Sequence, residues 1–577
     1  MSIWVAAVAA GGVPLRSEVQ RLFARRDPSW LPYPPASPVC WSSPDGSRRL
    51  TSWAPAGEPP PARATPERMV VCSGRPRPRL GRWASGRVVV DEIATTITGT
   101  DAATELAGHY TIASLGAADG FAIADPFAFE ALYIASAGSL TVVGNRSRAV
   151  AEVLAAHRGT PERRDPELAA FVAWAGIPIG TRTGFCDVAF LPQGHTVHFP
   201  PDGARVEAPE RHYLAAVPGR EPTLRETTEE MVAAVRFAID SAPEPPVLDL
   251  TGGKDTRLLL AVTMGAGLLA DVNVITRGLV ENADTRIAAG IVGRFDLAAT
   301  LPPLEPRSLG LVDRIRAQAE RTDGLSSAFD TSHASPDRRL AIASHAGEIM
   351  RGAPIADDDP GDLDEALARF AWNPFGRGDF VVPDLARQFE EEDRERFVAG
   401  LDFTDDVSEL HELYEACNRN RWISPRPLAG PPRVYAAIPH TGVRYAWSRG
   451  RAFRSTEPIH VPIISAVSHD LLDHPLTKGH WNVRPVPRVE ATPPVGAPVG
   501  GELFSHRGDD WGSAVTEILD ENPYSPAFDV IDQDRVRAAA ARFGGLGLNE
   551  RRQLLGAATA VVWMNESEGL SRAEWPG

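Results

Sequence analysis

Lysine is nearly missing from this chain. Among 577 residues only Lys254 and Lys478 carry an ammonium group, and every other basic side chain is an arginine or a histidine. A drift in genomic base composition replaces lysine wherever a diffuse positive charge suffices. It spares positions where a compact ammonium on a flexible stem does what a planar guanidinium cannot. The two survivors are therefore candidate site residues. Cysteine is scarce too: Cys40, Cys72, Cys186 and Cys417 lie far apart with no CxxC pair. That excludes a zinc ribbon and a disulfide framework, and points to free thiols in a reducing compartment. No apolar run approaches the ~18 to 20 residues of a transmembrane helix. The opening "MSIWVAAVAAGGVPLR" has no basic residue ahead of its apolar stretch, so it reads as an entering strand and not a signal peptide. Excess positive charge is absent as well. A formal net charge of -16 argues against a nucleic-acid-binding body. The expectation is a cytoplasmic protein with neither membrane nor nucleic acid as partner.

The length exceeds what one ordinary core holds, which implies two large domains. Proline crowds the segment from Trp30 to Ala64, which reads as extended and irregular. Short apolar runs follow: "ERMVVCSG", "GRVVVDEI", "GHYTIASLG", "DGFAIADP", "ALYIASAG" and "SLTVVGNR". Their spacing is that of a β-rich layer with tight turns, Ala137-Gly138 among them. "SRAVAEVLAAHRG" has helical periodicity, and "PQGHTVHFPPDGARVEAP" reads as a closing hairpin. These make a β-heavy first domain, residues 1–215. From "PTLRETTEEMVAAVRFAIDSA" onward strands alternate with helices: "VLDL", "TRLLLAVTMGAGL", "DVNVIT", "DTRIAAGIVGRF". That alternation predicts an α/β domain, residues 216–577, with a parallel sheet covered by helices on both faces. Beyond Gly400 the chain reads as mainly helical, with a loop at "RPVPRVEATPPVGAPVGG".

The stretch "LDLTGGKDTRLLLAV", Leu248 to Val262, joins a buried strand to a helix through a glycine pair. Such a turn gathers backbone N–H groups and the positive helix end around one point, which suits phosphate. Walker A is excluded, because GxxxxGK[ST] needs glycine at 248 and Ser or Thr at 255, where this chain has leucine and aspartate. The GxGxxG dinucleotide fingerprint is absent too. What remains is [ST]-G-G-x-D-[ST], here Thr251-Gly252-Gly253-Lys254-Asp255-Thr256. The glycines let backbone approach a pyrophosphate closely, and the threonine hydroxyls can donate to it. Asp255 would repel that phosphate unless a Mg²⁺ lay between them. The bland reading is a turn with Asp255 capping the helix through its side chain.

Thr251 to Thr256 resembles the pyrophosphate loop of the asparagine synthetase-like enzymes, written SGGxDS. "IASHAGEIMRG" is similar to the family's second metal segment, which places Glu348 at its metal-binding aspartate and Gly352 at its later glycine, with Ser344 and Ala346 at expected glycines. "EPIHVPIISAVSHDLL" is similar to the VPFLD-type segment without its aspartate. The resemblance implies an adenine nucleotide α-hydrolase-like ATP-pyrophosphatase domain with a helical tail. It further implies ATP and Mg²⁺ as cofactors, with Asp255 and Glu348 as metal ligands. Leu250, Thr251, Gly252, Gly253, Lys254, Asp255, Thr256 and Thr276 would then border the nucleotide. Glu348 and Lys478 would act in catalysis, the lysine meeting charge on pyrophosphate or an oxyanion.

The central strands of the first domain resemble the type 2 glutamine amidotransferase (Ntn-hydrolase-like) sandwich, Asp125-Pro126 falling in a DPxGxxPLYY-like stretch. Its nucleophilic cysteine is replaced by Ser2, and no glutamine-binding NGEIYN segment is present. The amine must then come from the substrate or from free ammonia. The family's β-lactam synthetases and lasso-peptide cyclases, which close an amide within one molecule, look like this. "SGRPRPRLGRWASG" and the late hairpin are more like the cyclases, whose partners would be a precursor peptide and a leader peptidase. Two alternatives stand beside the ligase: a glutamine-dependent amidotransferase using Ser2, and a non-catalytic nucleotide-binding homologue. His333, His345, His440 and His480 lack metal-ligand spacing. Arg419 or Arg421 could meet an acidic substrate group, and Asp284 reads as a helix cap or a neighbour of the nucleotide.

Overall fold

The first strand, Ile3–Ala9, is apolar at every position because both of its faces are covered. Trp4, Ala6 and Val8 point between two sheets, where they meet Leu50, Met69, Val71, Leu115 and Val197. Ile3, Val5 and Ala7 point the other way, into a second core beneath helices. The computed structural model describes the chain apart from residues 1, 29, 32–34, 57–60, 79–89, 91–92, 94–105, 176–179, 211, 215–220, 277–282, 301–309, 325–338, 353–360, 363–364, 366–379, 389–390, 393–405, 415, 418–431, 478–480, 483–510 and 566–577. One antiparallel sheet runs 189–190, 133–137, 140–144, 3–9, 48–53, 39–42. The other runs 205–207, 196–198, 120–124, 110–116, 68–74, 62–64.

Five of the six expected runs after the proline-rich segment are strands of this sandwich, and the closing hairpin pairs Thr196–His198 with Arg205–Glu207. "GRVVVDEI" lies almost wholly outside the described residues. The proline-rich segment is not irregular throughout. Val39–Ser42 and Arg48–Trp53 form a hairpin inside it, turning at Pro44-Asp45-Gly46, and Gly46 has φ +71°. The prolines flank the strands and occupy no ladder position in them, so they end the pairing without breaking it.

The following domain opens on the helix Leu224–Ser241, capped reciprocally by Thr223 and Glu226. A parallel sheet comes next. Its strands are β1 (Val247–Asp249), β2 (Asn273–Ile275), β3 (Ala299–Thr300), β4 (Ala341–Ala343) and β5 (Arg433–Tyr435). Helix α1 (Lys254–Gly265) follows β1, and α2 (Ala283–Arg294) follows β2. The order is β3-β2-β1-β4-β5, all parallel. The chain moves outward from β1 in one direction, then returns to lay β4 on its other side. Ligands of such sheets bind outside the carboxyl ends of the strands where the order reverses, here between β1 and β4.

β5 lies in the stretch expected to be mainly helical. Three residues carry no usable periodicity, and the strand exists because β4 offers it a free edge.

Packing does not follow chain order. One core joins the face of the first sheet to the helices Pro166–Ala175, Trp511–Glu521 and Leu548–Asn565. Another joins the second sheet to α1 and the parallel sheet. The helix Ser147–Arg158 covers the far side of the N-terminal sandwich, and the C-terminal helices join the same core by packing on Pro166–Ala175. Among the described residues, no helix is long and apolar enough to cross a membrane.

Candidate functional site

The glycine turn leaves the carboxyl end of β1 at the point where the sheet order reverses. Leu250 is fully buried and its N–H donates to Ile275, so its side chain belongs to the core. Gly253 is the N-cap of α1 in extended conformation and supplies no side-chain cap. The first turn of the helix is left to other donors' partners, as an anion site requires.

Inside the turn several amides have internal partners. Thr251 N–H donates to Thr256 Oγ1 at 3.2 Å, and Gly253 N–H to Thr251 Oγ1 at 3.0 Å. Gly252 N–H donates to the Asp284 carboxylate at 3.0 Å. Asp284, at the start of α2, also accepts from the Thr477 hydroxyl. A carboxylate oxygen thus sits on the Gly252 amide much as a phosphate oxygen would. Gly252 admits no side chain, because Thr477 packs directly against its Cα.

Residues 471–477 are drawn onto this turn by Arg257, which the sequence reading overlooked. Arg257 is fully buried; its guanidinium donates to the carbonyls of Leu471 (3.0 Å), His474 (2.6 Å), Gly252 (3.2 Å) and Pro475. Burial pushes its pKa down to about 10, with Asp284 opposing, so it stays charged at neutral pH. Thr477 N–H donates to Gly252 O at 3.3 Å. Trp481 and Asn482 return to the opposite side: Lys254 Nζ lies 5.3 Å from the Trp481 ring, and Asn482 N–H donates to Glu457 at 3.0 Å. Lys254 is ion-paired with Glu457, whose side chain is wholly buried. Burial lowers the Lys254 pKa, and Glu457 offsets it. Lys478 lies outside the described residues.

Asp255 points toward the loop after β4. Its Oδ1 accepts from His460 Nε2 at 2.8 Å and from Arg351 Nε at 3.2 Å, while Oδ2 faces Arg351 Nη2 at 3.4 Å. Burial alone would raise its pKa; the Arg351 charge and the His460 hydrogen bond prevail and hold it well below the usual carboxylate range. Gly347, beside Glu348, is the residue that meets it: a Cβ on Gly347 would lie 2.6 Å from Asp255 Oδ1. Glu348 is half-buried, and its charge, with those of Asp255 and Glu457, acts on Arg351. Gly352 is crowded by Arg454 and Ser455 at about 3.0 Å, so the glycine matched there is sterically required.

These residues do not fit a divalent cation. A unit charge 4 Å from another costs or gains about 4 kcal/mol at an effective dielectric of ~20, and a divalent ion doubles that. A Mg²⁺ on Asp255 would face the Arg351 guanidinium at such a range. Among the described residues, no cluster of three or more His, Cys, Asp or Glu side chains could hold a metal.

Among the described residues, two buried hydroxyls near the turn are without partners: Thr276 Oγ1, just past β2, and Thr285 Oγ1 in α2, the helix of Asp284. A buried unpaired hydroxyl costs about 1–3 kcal/mol, so each awaits a partner. Ala346 (φ +63°) and Glu457 (φ +54°) are left-handed non-glycine residues, a strain that concentrates at functional sites. Ser2 lies elsewhere. It is buried, its hydroxyl donates to Cys72 O at 3.1 Å, and its carbonyl accepts from Ser73 and Asn145. His440 is a buried residue beside Glu230, and His333, His480, Arg419 and Arg421 lie outside the described residues.

No known family profile matches the chain, and no curated protein matches it. Among solved structures it is similar to glutamine phosphoribosylpyrophosphate amidotransferase from B. subtilis complexed with ADP and GMP. Identity there is 12%, over 61% of this chain and 77% of that one, with a TM-score of 0.24. A structure described as the allosteric regulatory enzyme of purine biosynthesis is similar at 10% identity, over 54% of this chain and 67% of that one, with a TM-score of 0.23. Similarity of that size assigns no activity, and the functional reading rests on the chain's own geometry.

Proposed function

We propose that the chain is an ATP-dependent, AMP-forming amide ligase whose substrate carries both the carboxylate and the amine. The observation that carries this reading is the meeting, beside the strand crossover, of a strand–glycine turn–helix with residues 471–477, which Arg257 and Gly252 hold against the turn. A triphosphate would lie at the start of α1, with Thr276 and Thr285 offering hydroxyls to the nucleoside end. A substrate carboxylate oxygen attacks the α-phosphorus, the bond to the β-phosphate breaks, and pyrophosphate leaves with the electron pair. The amine then adds to the acyl carbon, AMP leaves and the amine proton passes to a base. Lys478 is assigned to the charge developing on pyrophosphate, a point charge suited to that place. A peptide closing a side-chain carboxylate onto its own N-terminal amine is the substrate class in view, with a precursor peptide and leader peptidase as partners.

Supplying the full chain with ATP and peptides bearing a free amine and an acidic side chain should release pyrophosphate and AMP together. Asp255→Ala should abolish both. Release of ADP and phosphate would rule out adenylation.

A second reading follows from the Asp284 contact. With Gly252 N–H already paired, the chain is a nucleotide-binding homologue without turnover. ATP binding with no AMP formed for any such peptide would favour it. Ammonia release from glutamine, lost in Ser2→Ala, would favour the amidotransferase instead.

A further inference from the structure

We infer that the phosphate site of this chain holds no divalent cation of its own, and that the Arg351 guanidinium stands in that place. This rests on the reading of the glycine turn as a nucleotide site. Arg351 straddles Asp255 through Nε and Nη2, at 3.2 and 3.4 Å, which is the two-pronged geometry a carboxylate gives to a guanidinium. His460 fills a further lone pair of Oδ1 at 2.8 Å, and its ring is wholly buried. The carboxylate is therefore surrounded by N–H donors on the side where it would have to face a metal.

No second side-chain ligand comes from the adjoining loop position: residue 347 abuts Asp255, glycine there has no side-chain oxygen, and a side chain would collide with the carboxylate. The charges of Glu348 and Glu457 act on Arg351 as well, in the same sense as that of Asp255.

Arg351 also keeps a face for an anion. Its side chain is 28% exposed, and a guanidinium has five N–H donors, of which Asp255 engages those of Nε and one on Nη2. Asp255 is then a positioning residue that aims Arg351 at the phosphates, and the charge it would otherwise turn on the nucleotide is already matched.

The test is a titration of ATP into the full chain, followed calorimetrically, once with Mg²⁺ and once with excess EDTA. Wild-type affinity should agree within about threefold between the two conditions, under 1 kcal/mol. Arg351→Met should weaken binding in EDTA by tenfold or more, and Mg²⁺ should then recover part of the loss, because Asp255 is freed to take the ion. A purely structural arginine would produce no such switch in metal dependence. A wild-type affinity that falls tenfold or more in EDTA overturns the inference while leaving the nucleotide reading intact. So does an Arg351→Met protein that binds ATP in EDTA as the wild type does. Absence of ATP binding in both conditions removes the nucleotide reading, and the inference with it.

Discussion

Lys254 shows what a single residue contributes here. Its ammonium lies between the Trp481 ring and the fully buried Glu457 carboxylate, in a slot that suits a point charge. Removing one member of a buried ion pair strands the other and costs about 3–5 kcal/mol. Lys254→Met should therefore lower the free energy of unfolding in denaturant by about that much. Adding Glu457→Gln should restore most of it, since the double change leaves no buried charge unpaired. Ala346 makes the opposite prediction. A left-handed alanine is strained by about 1 kcal/mol or more, and glycine relieves this at some entropic cost in the unfolded chain. Ala346→Gly should raise stability by about 0.5–1 kcal/mol on the same denaturant curve. At this scale the sequence was legible where rarity or spacing marked a residue: Lys254, the glycine pair, Gly352. The partners of Asp255 were not. Arg351 sits among many arginines and His460 among fourteen histidines, and only the fold brings them to one carboxylate.

Among the elements, the strand–turn–helix at β1 and α1 could be read directly, because an apolar run, two glycines and a helical apolar pattern each have a distinct cause. β4 and β5, three residues each, left no such mark. The crossover that places the site was consequently invisible in sequence, although its first strand was not. Arg257 has the same character: it reads as one more helical residue, yet it binds the carbonyls of segment 471–475 to the turn. Arg257→Leu should loosen that segment, seen as faster amide exchange over 471–477 with α1 otherwise protected. Asp284 governs the turn from α2. Asp284→Ala should release Gly252 N–H to a phosphate and tighten ATP binding by threefold or more in a calorimetric titration, while lowering the melting temperature because Thr477 loses its acceptor.

Across the whole molecule, the C-terminal helices join the core on one face of the N-terminal sandwich, and the parallel-sheet domain packs on its other face. Composition foretold two kinds of layer but not this return, since nothing local in an amphipathic helix names the surface it will cover. The buried region between sandwich and parallel sheet carries a pH dependence. Glu130 is pushed up to about 8 by burial, with Asp125 adding to it, and His109 Nε2 lies 4.0 Å away. Folded Glu130 keeps its proton to about pH 8, whereas the unfolded chain releases it near the ordinary glutamate value of 4.5. The folded state binds more protons in that window, so this contribution is complete below it and lost as pH rises through about 8. His109, lowered to about 3 by burial, gives the opposite slope below about pH 6.5, because there the unfolded state binds the extra proton. Between about pH 7 and 8, above the value of about 7 to which burial raises Asp125, the Glu130 effect is the main one. Stability should fall with rising pH there, at up to ~1.4 kcal/mol per pH unit, and Glu130→Gln should flatten the slope.

The central claim is that the glycine turn at the carboxyl end of β1 receives a nucleotide. Hydrogen–deuterium exchange of the full chain, with and without saturating ATP, tests it most directly. The account predicts slowed exchange at the amides of Thr251 to Arg257 and across segment 471–477, and little change on the far side of the sandwich. Unaltered exchange in both segments, with ATP shown to be bound, would contradict it.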